Sequence, residues 1–370
     1  MRVILSGGGT GGHIYPAITI SRAIQEKVKA CEVLFVGTKQ GLEADIIPKE
    51  GYAFSTVNVS GFERRFTLKN LTTLFQSAAS VWQSQRIIRK FKPDIVIGTG
   101  GYVCGPVLLA ASLLGVPTMV QEQNVIPGIT NKILARFVNK IAVGYADAAN
   151  YFPQKEKIVY TGNPIRPEVM SASREEGIAA LGLDPEKRTI LISGGSRGAR
   201  SINNAMIDIF NYFTSQNDVQ LLHVTGKSEY NGIVGKLEQA GIDITSTGNI
   251  SIKPYLYNMP LALAAADLAI FRAGAVGLAE LTARGIPSIL IPYPYAAENH
   301  QEHNASVMKR YGAAAVILDK NLTGDTLLAL VNELINDCSR LKKMAAASKS
   351  LGRPEAAGHI AQLAIELADL

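Results

Sequence analysis

The sequence has little of several things that would settle a class at once. Cysteine occurs three times in 370 residues, as Cys31, Cys104 and Cys338. They lie far apart and form no Cys-x-x-Cys or Cys/His pair, which excludes a disulfide framework and a zinc site and reads as free thiols in a reducing cytoplasm. Residues 1–6 run directly into glycines, so no signal segment with its apolar core of about 7–15 residues is expected. The longest apolar stretch, 103–116, is interrupted by Gly105 and Pro106 and is too short to cross ~30 Å of hydrocarbon. There is no Asp-x-Asp and no His/Cys cluster, so neither a metal nor another cofactor is expected. Glycine (34) and proline (16) stand close to the soluble average, which excludes a fibrous or low-complexity chain.

What is there is ordinary globular material, 47% hydrophobic and 18% charged, enough for two or three domains at ~150 residues each. The charge is uneven. Residues 1–165 hold 18 basic and 10 acidic side chains, whereas residues 166–370 hold 19 and 21. One half alone is suited to an acidic surface or a polyanion.

Short apolar runs at 2–6, 32–36, 54–59, 94–98, 118–121, 140–143 and 158–160 alternate with probable helices near 15–29, 42–47, 70–90, 105–114 and 130–137. The pattern restarts with strands at 189–193, 220–224, 267–271, 287–291 and 314–318, separated by helices near 199–213, 228–240, 275–283 and 300–311. Strand–helix alternation implies parallel βαβ units, here an α/β chain of two Rossmann-like, doubly wound domains with a cleft between them. The proline-containing segment 162–167 is the expected linker, giving domains 1–163 and 164–353. Residues 354–370 read as an amphipathic helix that packs on one of the two.

Ser6-Gly-Gly-Gly-Thr-Gly-Gly-His13 follows the first strand and opens the first helix. It matches the dinucleotide fingerprint formally, yet the second strand ends at Gly37-Thr38 without the acid that holds a ribose. Two readings stay open: an anion cradle of backbone N–H groups, or a tight strand–helix turn. Ser193-Gly-Gly-Ser196-Arg197-Gly198-Ala199-Arg200 repeats the design in the second half, with Ser196 placed to donate to phosphate. A third loop, Phe271-Arg-Ala-Gly274-Ala275-Val-Gly277, leads to Glu280, which either accepts from two ribose hydroxyls or is a helix N-terminal acid favoured by the dipole. His13 is either a general base on a sugar hydroxyl, kept neutral by the helix dipole, or a helix cap. His300 and Gln301 are candidate sugar contacts.

Around residues 61–92 an apolar stripe of Leu71, Leu74, Phe75, Ala78 and Trp82 is flanked by Arg64, Arg65, Lys69, Arg86, Arg89, Lys90 and Lys92, with Phe62 and Phe66 beside it. The stripe faces either the core or an anionic membrane. No aromatic–basic nucleic-acid motif occurs, so nucleic acid is not an expected partner.

The glycine loop ending at His13, Gly100-Gly101-Tyr102-x-x-Gly105-Pro106, Gln121-Glu122-Gln123-Asn124, Gly162-Asn-Pro-x-Arg166, the Ser196 loop and Arg272-x-Gly274-Ala275 through Glu280 fall in one order from residue 6 to residue 305. Together they resemble the MurG family of peptidoglycan N-acetylglucosaminyltransferases, which have the two-domain GT-B fold. The resemblance implies transfer of N-acetylglucosamine from UDP-N-acetylglucosamine to the 4-hydroxyl of the muramyl sugar of undecaprenyl-linked lipid I. Lipid II and UDP are the implied products, with inversion, at the cytoplasmic face of the membrane. It implies donor contacts from Thr10, Gly11, Gly12, Asn124, Arg166, Ser196, Leu256, Ala275, Glu280, His300 and Gln301. It implies acceptor contacts from Gly9, Thr10, His13, Gly101, Tyr102 and Gly105, with His13 the base. The chain departs from the family at Gly277, where many members have Thr or Ser, at Arg197, commonly Gln, and at His300, Gln in some members. A transferase to another lipid such as diacylglycerol, or a sugar-nucleotide-binding regulator without turnover, are the alternative readings.

Overall fold

Apolar side chains on both sides of a strand need cover on both sides, and the first strand shows how this chain supplies it. In β1 (Arg2–Gly7), Val3 and Leu5 join the apolar cluster on one face while Ile4 joins the cluster on the other, all three fully buried. The computed structural model describes residues 1–59, 69–195, 197–242 and 248–369, and for residues 69–77 the backbone alone. The chain divides into two compact units, Met1–Ile165 with Glu355–Leu370, and Arg166–Pro354.

In the first unit, β1, β2 (Glu32–Gly37), β3 (Ala53–Thr56), β4 (Ile95–Gly100), β5 (Thr118–Glu122), β6 (Lys140–Val143) and β7 (Ile158–Tyr160) form one parallel sheet, in the order β3-β2-β1-β4-β5-β6-β7. The crossover helices are α1 (Gly11–Lys27), α2 (Glu43–Lys49), α3 (Lys69–Phe91), α4 (Cys104–Leu113) and α5 (Ile129–Leu134). Ile14, Ala17, Ile18, Ile20 and Ile24 of α1 cover one face, and Val107, Leu108 and Ile88 cover the other.

The second unit opens with α6 (Pro167–Ser171) and α7 (Arg174–Leu181), then alternates β8 (Arg188–Ser193), α8 (Arg200–Phe213), β9 (Val219–Val224), α9 (Tyr230–Gln239), β10 (Ile250–Lys253), α10 (Met259–Ala265), β11 (Leu268–Phe271), α11 (Ala275–Arg284), β12 (Ser288–Leu290), α12 (His300–Arg310) and β13 (Ala314–Val316). Its parallel sheet runs β10-β9-β8-β11-β12-β13. The stripe Ile202, Met206, Ile209, Phe210 and Phe213 of α8 packs on it with α13 (Gly324–Asn336). Then α14 (Cys338–Leu351) leads to α15 (Ala356–Leu367), which returns to the first unit and buries Ile360, Ala361 and Ala364 beside α1. Among the described residues no helix is long and apolar enough to cross a membrane.

Sequence periodicity misses β10, because Ile-Ser-Ile-Lys is four residues long and sits at a sheet edge with only Ile250 and Ile252 buried. The helices of 167–171, 174–181, 259–265, 324–336 and 338–351 also lie outside the sequence expectation.

Candidate active site

In both sheets the strands are parallel, so their carboxyl ends and the loops that follow collect on one side. The loop after β1 meets the loop after β4, its neighbour in the sheet: Gly8 N–H donates to Gly100 O at 3.3 Å. A side chain at Gly101, whose φ is +86°, would stand 2.5 Å from Gly8 O, so only glycine permits this approach. Thr99 Oγ1 donates to His13 O at 2.7 Å, and the buried Cys104 thiol, pushed up to about 12 by burial, donates to Ser6 O at 2.8 Å.

His13 is the third residue of α1 and is half-buried. Its Nδ1 lies 2.8 Å from Gly8 O and 3.4 Å from Thr10 Oγ1. A carbonyl oxygen only accepts, so Nδ1 carries the hydrogen and Nε2 is the bare nitrogen of the neutral ring. This excludes the capping role, in which the side chain accepts from a backbone N–H. The pKa of His13 is lowered, and the first cause is desolvation by burial rather than the expected helix dipole; the Gly8 bond and the Glu43 carboxylate oppose it.

The loop amides are not all open to an anion. Gly9, at φ +82°, donates its N–H to Glu43 Oε2 at 3.0 Å. Glu43 is fully buried at the start of α2, where Oε1 also accepts from Thr38 N at 2.9 Å and Thr38 Oγ1 at 2.7 Å. These donors hold its carboxyl below the usual range against the opposing effect of burial. An acid therefore does reach the glycine loop from beyond the second strand, but it is consumed by backbone. Sequence reading missed it because it lies six residues past β2. Thr10 is the N-cap of α1 without a side-chain cap bond, and Gly11 and Gly12 begin the helix. Tyr102 is exposed between β4 and α4. Gly105 stands inside the first turn of α4 rather than in the loop.

Glu122 is buried at the end of β5, accepting from Asn124 N (2.8 Å), Asn124 Nδ2 (3.3 Å), Gly128 N (3.1 Å) and Asn131 Nδ2 (2.8 Å). Burial raises its pKa despite these donors. Asn124 is thus anchored to the strand that precedes it.

In the second unit, Gly198 (φ +76°) packs where a Cβ would meet Thr225 O at 1.9 Å, the same loop-on-loop design between the neighbours β8 and β9. Ser196 lies outside the described residues. Gly274 is the N-cap of α11, and its carbonyl takes Leu278 N at 3.0 Å. The N–H groups of Ala275, Val276 and Gly277 precede that first intrahelical bond and point out of the helix end. Glu280 is the sixth residue of α11, past the first turn, so the dipole-favoured N-terminal acid is ruled out. Arg166 Nε (3.1 Å) and Nη2 (2.9 Å) both donate to Glu280 Oε1. Burial raises the Glu280 pKa and the Arg166 charge opposes it. Oε2 has no partner among the described residues. Leu256 lies half-buried in the turn between β10 and α10. Gln301 Oε1 accepts from Tyr293 N at 2.9 Å, and His300 Nδ1 donates to Ala297 O at 2.7 Å. Arg272 is tied to Asp319 at 2.5 Å and to Ser201 at 2.8 Å.

Phe62, Arg64, Arg65 and Phe66 lie outside the described residues, and of Phe75 only the backbone is described. The rest of α3 separates the two faces that the sequence left open. Ser80, Ser84 and Ile88 are the buried stripe, whereas Ala78, Arg86, Arg89 and Lys90 are exposed and Trp82 is 58% exposed under the Arg86 guanidinium. Sequence reading missed a second apolar group. Leu113, Ile129, Ile133 and Phe137 are exposed on α4, α5 and the turn after it, beside Lys132 and Arg136. Their four-residue spacing from 129 to 137 was the available signal.

The N-terminal domain model of glycosyltransferase family 28 matches residues 3–143, and the C-terminal domain model of that family matches residues 189–360. A curated protein of Desulforamulus reducens is 48% identical over 97% of this chain and 97% of its own. One of Moorella thermoacetica is 48% identical over 99% of each. Both bear the name UDP-N-acetylglucosamine–N-acetylmuramyl-(pentapeptide) pyrophosphoryl-undecaprenol N-acetylglucosamine transferase. The crystal structure of Acinetobacter baumannii MurG superposes with a TM-score of 0.78 at 25% identity, covering 99% of each chain. On these matches the chain belongs to glycosyltransferase family 28 and, within it, to the MurG-type N-acetylglucosaminyltransferases, and its two parallel-sheet domains are those of the GT-B fold.

Proposed function

We propose that this protein transfers N-acetylglucosamine from UDP-N-acetylglucosamine to the 4-hydroxyl of the muramyl sugar of an undecaprenyl-diphosphate-linked acceptor, lipid I. The products are lipid II and UDP. The observation that carries the reading is near-full-length identity of 48% with relatives that bear this activity in their names. The residue roles follow the family resemblance, and the geometry supports those of His13 and Glu280. Nε2 of His13, left bare by the Nδ1–Gly8 bond, takes the proton of the attacking hydroxyl as its oxygen bonds to the anomeric carbon. The bond from that carbon to the diphosphate breaks on the opposite face, so configuration inverts and UDP leaves. Ala275 and its neighbours at the α11 N-terminus, with the Ser196 loop, take the diphosphate charge. Oε2 of Glu280, steadied by Arg166, accepts from the ribose hydroxyls, the backbone at Leu256 reads the uracil, and Asn124, His300 and Gln301 contact the donor sugar. Gly9, Thr10, Gly101, Tyr102 and Gly105 contact the acceptor, and Thr10, Gly11 and Gly12 contact the donor.

The acceptor's lipid keeps it in a bilayer, so the enzyme has to come to the membrane. Trp82 with Arg86, Arg89 and Lys90 on α3, and Ile129, Ile133 and Phe137 with Lys132 and Arg136 on and after α5, are the exposed groups we assign to an anionic cytoplasmic leaflet. Each basic residue near such a surface contributes ~1 kcal/mol.

The purified chain, given labelled UDP-N-acetylglucosamine and a lipid I analogue, is expected to form the disaccharide product. Transfer to diacylglycerol but not to the lipid I analogue, or UDP-sugar binding without turnover, refutes the reading. His13→Ala is expected to lower kcat by about 10²–10⁴ with donor affinity nearly unchanged. A normal kcat removes His13 from the base role.

A further inference from the structure

Glu43 has no part in the reaction as drawn, yet it is a buried carboxylate 3.0 Å from the glycine loop. The two atoms that meet Glu43 and His13 belong to one peptide group. Gly9 N–H donates to Glu43 Oε2, and the carbonyl of the same unit, Gly8 O, accepts from His13 Nδ1 at 2.8 Å. A peptide whose N–H faces a full negative charge is polarised along its plane, and its carbonyl becomes a stronger acceptor. The carboxylate lies flat on the loop, since a Cβ at Gly8 would stand 2.5 Å from Glu43 Oε1. Thr38 holds the other oxygen from the end of β2 through two bonds.

We propose that Glu43 is a positioning residue for His13, acting through the Gly8–Gly9 peptide: Glu43 Oε2 to Gly9 N–H, and Gly8 C=O to His13 Nδ1–H. The arrangement does what a carboxylate bonded directly to a histidine does. It fixes the tautomer with Nε2 bare, fixes the ring plane, and makes Nε2 more basic. The interposed peptide keeps the carboxylate away from the acceptor's diphosphate, which a directly exposed charge would repel. Of the titratable groups around this peptide, Glu43 comes from α2 and the Cys104 thiol from α4; the thiol stays neutral, pushed up to about 12 by burial. This proposal rests on His13 being the base.

The test is steady-state kinetics of the full chain with Glu43→Gln, His13→Gln and the double variant. Glu43→Gln keeps the shape and loses the charge together with one of the two acceptor oxygens. It is expected to lower kcat about tenfold, leave donor KM within about twofold, and move the acidic limb of kcat/KM to lower pH by about 0.5, because the charge that favours protonated His13 is gone. In the His13→Gln background it adds no further loss. An unchanged kcat, or a loss of rate with the acidic limb unmoved, makes Glu43 merely structural and overturns the proposal. A normal kcat in His13→Gln is a different failure, that of the base reading. If Glu43→Gln does not fold, the wild-type chain carries the test. Nitrogen NMR of the wild-type chain gives a readout free of activity: Nδ1 of His13 protonated and Nε2 not. The opposite tautomer overturns the relay.

Discussion

At the scale of the residue, burial sets the protonation of both histidines that matter, with opposite uses. His223 is fully buried in β9, where Nε2 lies 2.9 Å from Asn203 Oδ1 and Nδ1 has no hydrogen-bond partner among the described residues. Desolvation lowers its pKa from 6.5 to about 3. The native state therefore stays neutral there while the unfolded chain takes a proton below about 6.5. The resulting stability is full above that value and declines as pH falls toward 3, at a slope of about 1.4 kcal/mol per pH. His223→Gln is expected to flatten the loss of Tm between pH 7 and pH 5, read by calorimetry. Parallel pH dependence in the two proteins contradicts this. His13 is lowered in the same direction and by the same cause, with the residue as a whole half-buried at the start of α1.

At the scale of the element, the proposed base is held where loop packs on loop. Gly100 has φ +110°, and a Cβ there would lie 2.8 Å from His13 Cδ2. Gly100→Ala is expected to cost about 1–3 kcal/mol of stability from backbone strain and to lower kcat by at least about tenfold by displacing the imidazole. Donor KM is expected to hold, because α11 and the Ser196 loop are far along the chain in the other unit. Wild-type kcat in a folded Gly100→Ala protein denies that the two loops position His13. The glycines of 7–12, 194–198 and 274–277 were legible as special in sequence, since strand, glycines and helix follow one another there, and Gly100 and Gly101 only through the family resemblance. Which glycine meets which neighbour was not, because that follows from the sheet order β2-β1-β4 and the pairing of β8 with β9.

At the scale of the whole molecule, the uneven charge acquires a place. Basic residues of the first unit stand beside exposed apolar side chains on α3 and α5. Arg86, Arg89 and Lys90 changed together to Glu are expected to release the protein from anionic vesicles in a flotation assay, while rates on a soluble acceptor stay as they were. Retention on the vesicles removes α3 from the proposed docking surface. Raising salt is expected to weaken wild-type binding, since exposed charges separated by more than ~10 Å are screened at 0.1 M.

The two α/β units, the three glycine loops at the carboxyl ends of strands, the family, and the candidacy of His13 and Glu280 are readable from the order of residues. These follow from local rules: apolar runs make buried parallel strands, and glycines supply left-handed backbone where the chain turns. Folding is what closes Glu43 on Gly9, sets Arg166 on Glu280, turns Trp82 out and Ile88 in, and packs the last helix beside the first. Each is a contact between residues about 30 to 340 positions apart, or a choice between two faces of one helix. Local pattern carries no information about such partners, which the order of strands and the close packing of the core impose.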